Sequence, residues 1–211
     1  MVDNDFSGLS PINFFQLNHE CHSYTQNAFG KDKKKYMLPV VAELCNDDPF
    51  ADIYMAWAAE GIHFNVTVNQ EYLHATYPDI TKGDSLEIFI DTRDVKTSGY
   101  NTRFCHHFFF LPEAMSGHQC GEITRFRTDE SHPMCDPQQL KVKTRLKNNS
   151  YEMQIFISSE CLYGYDPKQF DRIGFTYRVN RTNGPSQHFS ATSDEYRIEQ
   201  QPSLWSSIRL V

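Results

Sequence analysis

Hydrophobic and polar residues alternate with a period of two along much of this chain, and strands are the element that such a period builds. The alternation is cleanest in 62–68, where Ile62, Phe64, Val66 and Val68 interleave with His63, Asn65 and Thr67. That is the pattern of a half-buried strand. Segment 151–157 repeats it, with Met153, Ile155 and Ile157 set against Glu152, Gln154 and Phe156. In 83–94 the same period gives Leu86, Ile88 and Ile90 on one face and Glu87, Phe89 and Asp91 on the other. One face is aliphatic; the other carries two carboxylates around an aromatic ring. Such carboxylates must be solvated, paired with a cation or engaged by a ligand, because a buried and unpaired charge is costly.

Further strands are predicted at 52–57, 122–127, 140–146, 173–179, 188–192 and 205–211, each bounded by turn residues. A dense aromatic strand is predicted at 103–111, with Phe104, His106, Phe108 and Phe110 on one side and Cys105, His107 and Phe109 on the other. Pro39 makes the apolar run from Tyr36 to Val41 an edge strand at best, and Asn46-Asp47-Asp48-Pro49 ends it in a turn. The one helix-like stretch, 159–163, is about a single turn long. Residues 1–35 show no sustained period and read as an irregular N-terminal arm that Phe14, Phe15 and Leu17 could tie down. About eleven short strands without βαβ alternation predict an all-β fold, an antiparallel, jelly-roll-like β-sandwich over 36–211.

Composition supports that fold and removes some functions. Among 211 residues, 16 Phe and 11 Tyr favour a pleated surface. The net charge of -7 argues against nucleic acid or an anionic membrane as partner, and the basic run Lys31 to Lys35 reads as a solvated linker. No run of about 18 apolar residues exists for a membrane span. Six cysteines are spaced too widely for a C-x-x-C metal or redox motif, and Met1 to Phe6 lack the basic and apolar regions of a secretory signal. The expectation is therefore reduced thiols in a soluble protein, cytoplasmic in preference to secreted.

The segments 52–57, 60–66, 83–91 and 202–210, in that order and spacing, resemble the family 9 carbohydrate-binding modules over about residues 36–211. The resemblance implies a β-sandwich without catalytic activity, of a kind often appended to secreted glycosidases and sometimes holding structural calcium. In sugar-binding members two tryptophans sandwich a terminal sugar ring while carboxylate, amide and arginine groups take its hydroxyls. Carried over by position, the family's glutamate falls on Glu87. Its first stacking tryptophan falls near Thr81, which cannot stack, and Tyr77 is the nearby aromatic. The second falls near Tyr196. The binding arginines fall near His106 or His107 and near Gln187 or His188. The resemblance thus predicts a carbohydrate cleft built from Glu87, His107, His188, Tyr196 and Tyr77, with Asp91 and Asp94 as candidate calcium ligands.

Each of these residues also has a simpler reading. Glu87 can pair with an arginine, and Asp91 can cap the turn Asp91-Thr92-Arg93-Asp94 as an Asx residue. Cys105 and His106 are strand neighbours on opposite faces, which speaks against a thiolate–imidazole pair and for His106 as a hydrogen-bonded structural residue. The two histidines of His19-Glu20-Cys21-His22 lie in the arm and read as accidental. Glu87 and Asp91 would stand about 13 Å apart along a strand, wide for a glycosidase acid and base. No G-x-S-x-G, P-loop or H-E-x-x-H motif is present. A structural or protein-interaction sandwich that has lost the sugar site stays open as the alternative, with Trp57 and Trp205 as core residues under either reading.

Overall fold

A computed structural model describes residues 18–40, 48–189 and 196–211. The anchors Phe14, Phe15 and Leu17, part of the 46–49 turn and the end of the predicted 188–192 strand lie outside these residues. The described strands are β1 (Asn18–Cys21), β2 (Ala51–Ala58), β3 (Gly61–Val68), β4 (Ser85–Asp91), β5 (Cys105–Met115), β6 (His118–Glu122), β7 (Leu140–Lys147), β8 (Ser150–Ser158), β9 (Arg172–Asn180), β10 (Gln187–His188) and β11 (Ser206–Leu210). They form a seven-stranded sheet in the order β1-β11-β9-β4-β5-β6, with β10 also paired to β9, and a four-stranded sheet in the order β2-β3-β8-β7. All pairings are antiparallel except that of β1 with β11. The fold is a β-sandwich, as the alternation predicts.

The aliphatic faces meet between the sheets. Leu86, Ile88, Ile90, Phe108, Phe110, Phe175 and Val179 from the larger sheet pack against Ile53, Met55, Phe64, Val66, Met153 and Ile155 from the smaller one. Phe64 and Phe175 face each other in near-parallel planes, ring centres 5.9 Å apart. Burial of this apolar surface is what holds the layers together, at roughly 25 cal/mol per Å². Every residue of β4 is buried, so its second face, with Glu87, Phe89 and Asp91, is also covered. The cover comes from Ile198 and Trp205, which pack on Phe89 and Cys105.

Several sequence expectations are corrected. The strand predicted at 122–127 ends at Glu122 and starts earlier, at His118, after a two-residue turn in which Ser116 and Gly117 both have positive φ. Beyond it Ile123 N still donates to His107 O, but His107 N donates to the Thr124 hydroxyl instead of a main-chain carbonyl, so the ladder stops. The single helical turn expected at 159–163 is present, as a 3-10 turn over Ser159–Cys161. Trp205 is buried, though on the outer face of the larger sheet and not in the core between the sheets, and Trp57 is half-buried with its indole N–H on Val211 O. Finally, the cysteines are not all thiols. Cys135 and Cys161, 26 residues apart in sequence, form a disulfide, whereas Cys21, Cys105 and Cys120 are free. Cys45 lies outside the described residues. Within the stretch read as an arm, β1 pairs with the C-terminal strand and Phe29 and Tyr36 pack around Tyr54 and Ala56, so this part of the arm is built into the sandwich.

Candidate functional site

Strand register places a row of residues across the outer face of the larger sheet. Gly121 of β6 pairs with Phe109 of β5, Phe109 with Glu87 of β4, Glu87 with Arg178 of β9, and Arg178 with His188 of β10. Since residues directly opposite one another share a face, the side chains of Phe109, Glu87, Arg178 and His188 project to the same side, with Gly121 at the end of the row. In the next row on that face His107 pairs with Phe89, and their rings stack with centres 4.2 Å apart.

Glu87 is the hub of this face. Arg178 grips it with two bonds, Nε to Oε1 at 2.7 Å and Nη2 to Oε2 at 2.9 Å. Asn180 Nδ2 donates to Oε1 at 2.7 Å, and His107 Nε2 lies 2.8 Å from Oε2. A carboxylate offers about four acceptor sites, and all are used. Burial, which raises a carboxyl pKa, is outweighed by the bonds from His107 and Arg178, and Glu87 is held at about 2. Glu87 is 1% exposed, whereas the side chains of His107 and Arg178 are 7% and 19% exposed, so the arginine is the most open of the three to solvent.

Register and ring contacts place two of the other predicted residues on this face. His188 stands beside Arg178 on the far side from Glu87. On the opposite flank Tyr77, in a cis Tyr77–Pro78 peptide, has its ring 5.7 Å from that of Phe109 and stacked on His118 at 4.3 Å. Gly121 makes room here, because a Cβ would come within 2.9 Å of the Phe109 ring. Tyr196 opens the segment that leads through Ile198 to Trp205, the two residues covering Phe89. Asn101 fastens that cover by donating to Glu199 O and Arg125 O.

Asp91 and Asp94 belong to a different arrangement. Asp91 accepts the Arg93 and Val95 main-chain N–H groups, one on each oxygen, which is the Asx-turn geometry. Burial raises its pKa despite those bonds. Asp94, with φ at 51°, faces Lys96 and Arg172 and accepts the Ser207 hydroxyl. Both carboxylates are therefore surrounded by donors and cationic side chains, the environment of a turn clasp and an ion-pair network.

Sequence reasoning missed Arg178 and Asn180. Their signal was present: in β9, Arg172, Thr176, Arg178 and Asn180 are polar at positions of one parity, the parity that faces Glu87. Reading that parity across two strands requires the register, which the sequence alone does not supply.

A family model described as "Carbohydrate family 9 binding domain-like" matches residues 24–211. The chain belongs to this family. A carbohydrate-binding module of family 9 (CBM9) from Caldicellulosiruptor kristjanssonii, solved in complex with cellotriose, shares the fold with a TM-score of 0.64 and 14% identity, over 92% of this chain and 93% of that one. A CBM9 from the same organism in complex with glucose gives a TM-score of 0.61 and 15% identity, over 93% and 95% of the two chains. Comparison with curated proteins finds no match. At these identities the solved structures establish the CBM9-like sandwich, and the site has to be argued from this chain's own residues.

Proposed function

We propose that this CBM9-like domain binds a carbohydrate without catalysis across the outer face of its larger sheet. Hydroxyls are taken by Arg178, His107 and His188, and the apolar side of the sugar ring rests against Tyr77 or Tyr196. The observation that carries the reading is the bidentate Arg178–Glu87 pair with Asn180 and His107 on the same carboxylate. Such a cluster fixes donors in place before a ligand arrives, and preorganisation of this kind reduces the entropy lost on binding. Glu87 then organises the donors and is not itself the first contact of the sugar, since its acceptor sites are filled. Membership of the family and the sugars bound by the two Caldicellulosiruptor modules support carbohydrate as the ligand class.

The second reading is a structural or protein-interaction sandwich, and one observation favours it: Glu87 is saturated and almost fully buried, as a purely structural anchor would be. Calorimetric titration with glucose and cellotriose, alongside a broad glycan screen, separates the two. Saturable binding that His188→Ala and Tyr77→Ala each weaken about tenfold or more, the loss expected of a contact worth about 1.4 kcal/mol, supports the sugar site. Absence of binding to every glycan, or binding indifferent to both substitutions, leaves the structural reading.

A further inference from the structure

We propose that His106, Glu122 and His132 form a site for a divalent transition metal of the zinc class, independent of the carbohydrate reading. One ring nitrogen each of His106 and His132 and one Glu122 carboxylate oxygen lie within 4.8 Å of one another. The three come from β5, the end of β6 and the loop after it. They face the opposite side of β5 from His107, because neighbouring strand residues alternate. Their side chains are 0%, 0% and 2% exposed.

The bonding pattern is what points to a metal. Three groups converge on one oxygen, Glu122 Oε1: His106 Nδ1 at 2.9 Å, His132 Nε2 at 2.8 Å and the Thr124 hydroxyl at 2.7 Å. His132 Nδ1 meanwhile faces the Arg103 carbonyl at 2.7 Å, so both of its ring nitrogens look at acceptors. A cation between the two imidazoles and the carboxylate satisfies all of these groups with both rings neutral. The outer contacts are those that orient metal ligands. His132 holds a main-chain carbonyl with its far nitrogen, and Glu122 Oε2 accepts the Cys135 N–H at 2.8 Å.

Two imidazoles and one carboxylate suit zinc and its neighbours and not calcium or magnesium, which require mostly oxygen ligands. Tetrahedral bonds of 2.0–2.2 Å put ligand atoms about 3.3–3.6 Å apart, so the two imidazole contacts at Glu122 Oε1 need open by about half an ångström. A surface cleft of about 500 Å³, bordered by His132, Cys135, Cys161 and Tyr163, gives a route for the ion and for a water as fourth ligand.

The test uses the full chain, freed of metal with a chelator and kept without thiol reductant so that Cys135–Cys161 stays bridged. Zinc is expected to bind in one equivalent and to raise the melting temperature. Cobalt(II) is expected to give visible d–d bands with no thiolate charge-transfer band. Glu122→Gln and His132→Gln are expected to weaken zinc binding by more than the roughly 10–100-fold that loss of an outer partner costs. Failure of the unsubstituted protein to take up an equivalent of zinc or cobalt overturns the proposal. So does a thiolate band, which would assign the ion to cysteines, or unchanged affinity in both variants. If the variants do not fold, uptake and the cobalt spectrum of the unsubstituted protein still decide it. Sugar binding is scored separately and leaves this outcome untouched.

Discussion

Glu87 and Glu122 are both buried glutamates at the centre of a donor cluster, and both are held at about 2 against burial, yet the clusters differ in their cations. Around Glu87 the principal partner is Arg178, a guanidinium that is always charged and grips the carboxylate with two bonds. Around Glu122 the partners are two imidazoles, a hydroxyl and a main-chain N–H, none with a permanent charge. Glu87 sits in mid-strand, in register with strands on both sides. Glu122 sits at a strand end, where it gathers the loop that follows. A fixed charge within a rigid ladder makes a preset surface. A carboxylate with two imidazoles at a strand end makes a clasp whose strength depends on what lies between them.

The largest effect should come from removing the fixed charge. Arg178→Ala leaves the Glu87 charge buried with only Asn180 and His107, and breaking a buried pair in this way costs about 3–5 kcal/mol. Arg178→Lys, which keeps the charge but loses the fork, should cost clearly less. Denaturant unfolding measures both. Equal losses in the two variants would show that charge without the bidentate fork contributes nothing, and a lysine variant as stable as the unsubstituted protein would show that the fork adds nothing beyond charge.

Acid should separate Arg178→Ala from the unsubstituted protein. The folded pKa of Glu87, about 2, lies below the 4.5 of an ordinary glutamate. Its stabilisation is therefore complete above pH 4.5, falls as pH drops through the interval, and is gone below about 2. The difference corresponds to something on the order of 3 kcal/mol. Unfolding free energies measured from pH 6 to pH 2 should show this loss in the unsubstituted protein and a flatter profile in Arg178→Ala. Parallel profiles would mean that the arginine is not what holds the proton off Glu87.

The Glu122 side is probed through its disulfide. Cys135 donates its N–H to Glu122 and is bridged to Cys161 across 26 residues, so replacing both cysteines by serine should cost about 2–4 kcal/mol. The loss should be local, with faster amide exchange in 123–136 and none added at β4 and β9. Spread of the effect to those strands would remove the distinction between clasp and surface.

How much of this was legible beforehand follows from the physics of each part. The period of two in 62–68 and 85–91 is a property of neighbouring residues, and it gave the sandwich and the face that carries Glu87. The arginine pairing was foreseeable as a type of partner but not as Arg178, since 91 residues separate the two and only the register brings them together. His106 was readable as a hydrogen-bonded histidine from its parity with Phe104 and Phe108. Its partner was not, because Glu122 was placed at the start of a strand that the structure ends there. The disulfide was hidden for the same reason: spacing says nothing about which loops meet. The resemblance names Glu87 and His107 for one cleft, and the structure sets them 2.8 Å apart.

The smallest effect sharpens the comparison at its edge. Gly121 precedes Glu122 in β6 and lies across from Phe109, so it belongs to the row of Glu87 while touching the clasp of its neighbour. A Cβ at this position would lie 2.9 Å from the Phe109 ring, a side chain pinned between Tyr77 on one side and the sheet beneath. Gly121→Ala should therefore overpack the site by about 1–3 kcal/mol. If the row is one rigid unit, the strain should travel along it. The ring-proton resonances of Tyr77 and Phe109 should shift, and any sugar affinity should fall with them, while the His106 and His132 resonances stay in place. Movement of the histidines instead would show that β6 transmits strain to its own strand end more readily than across the sheet, and the two carboxylate clusters would then have to be treated as a single coupled site.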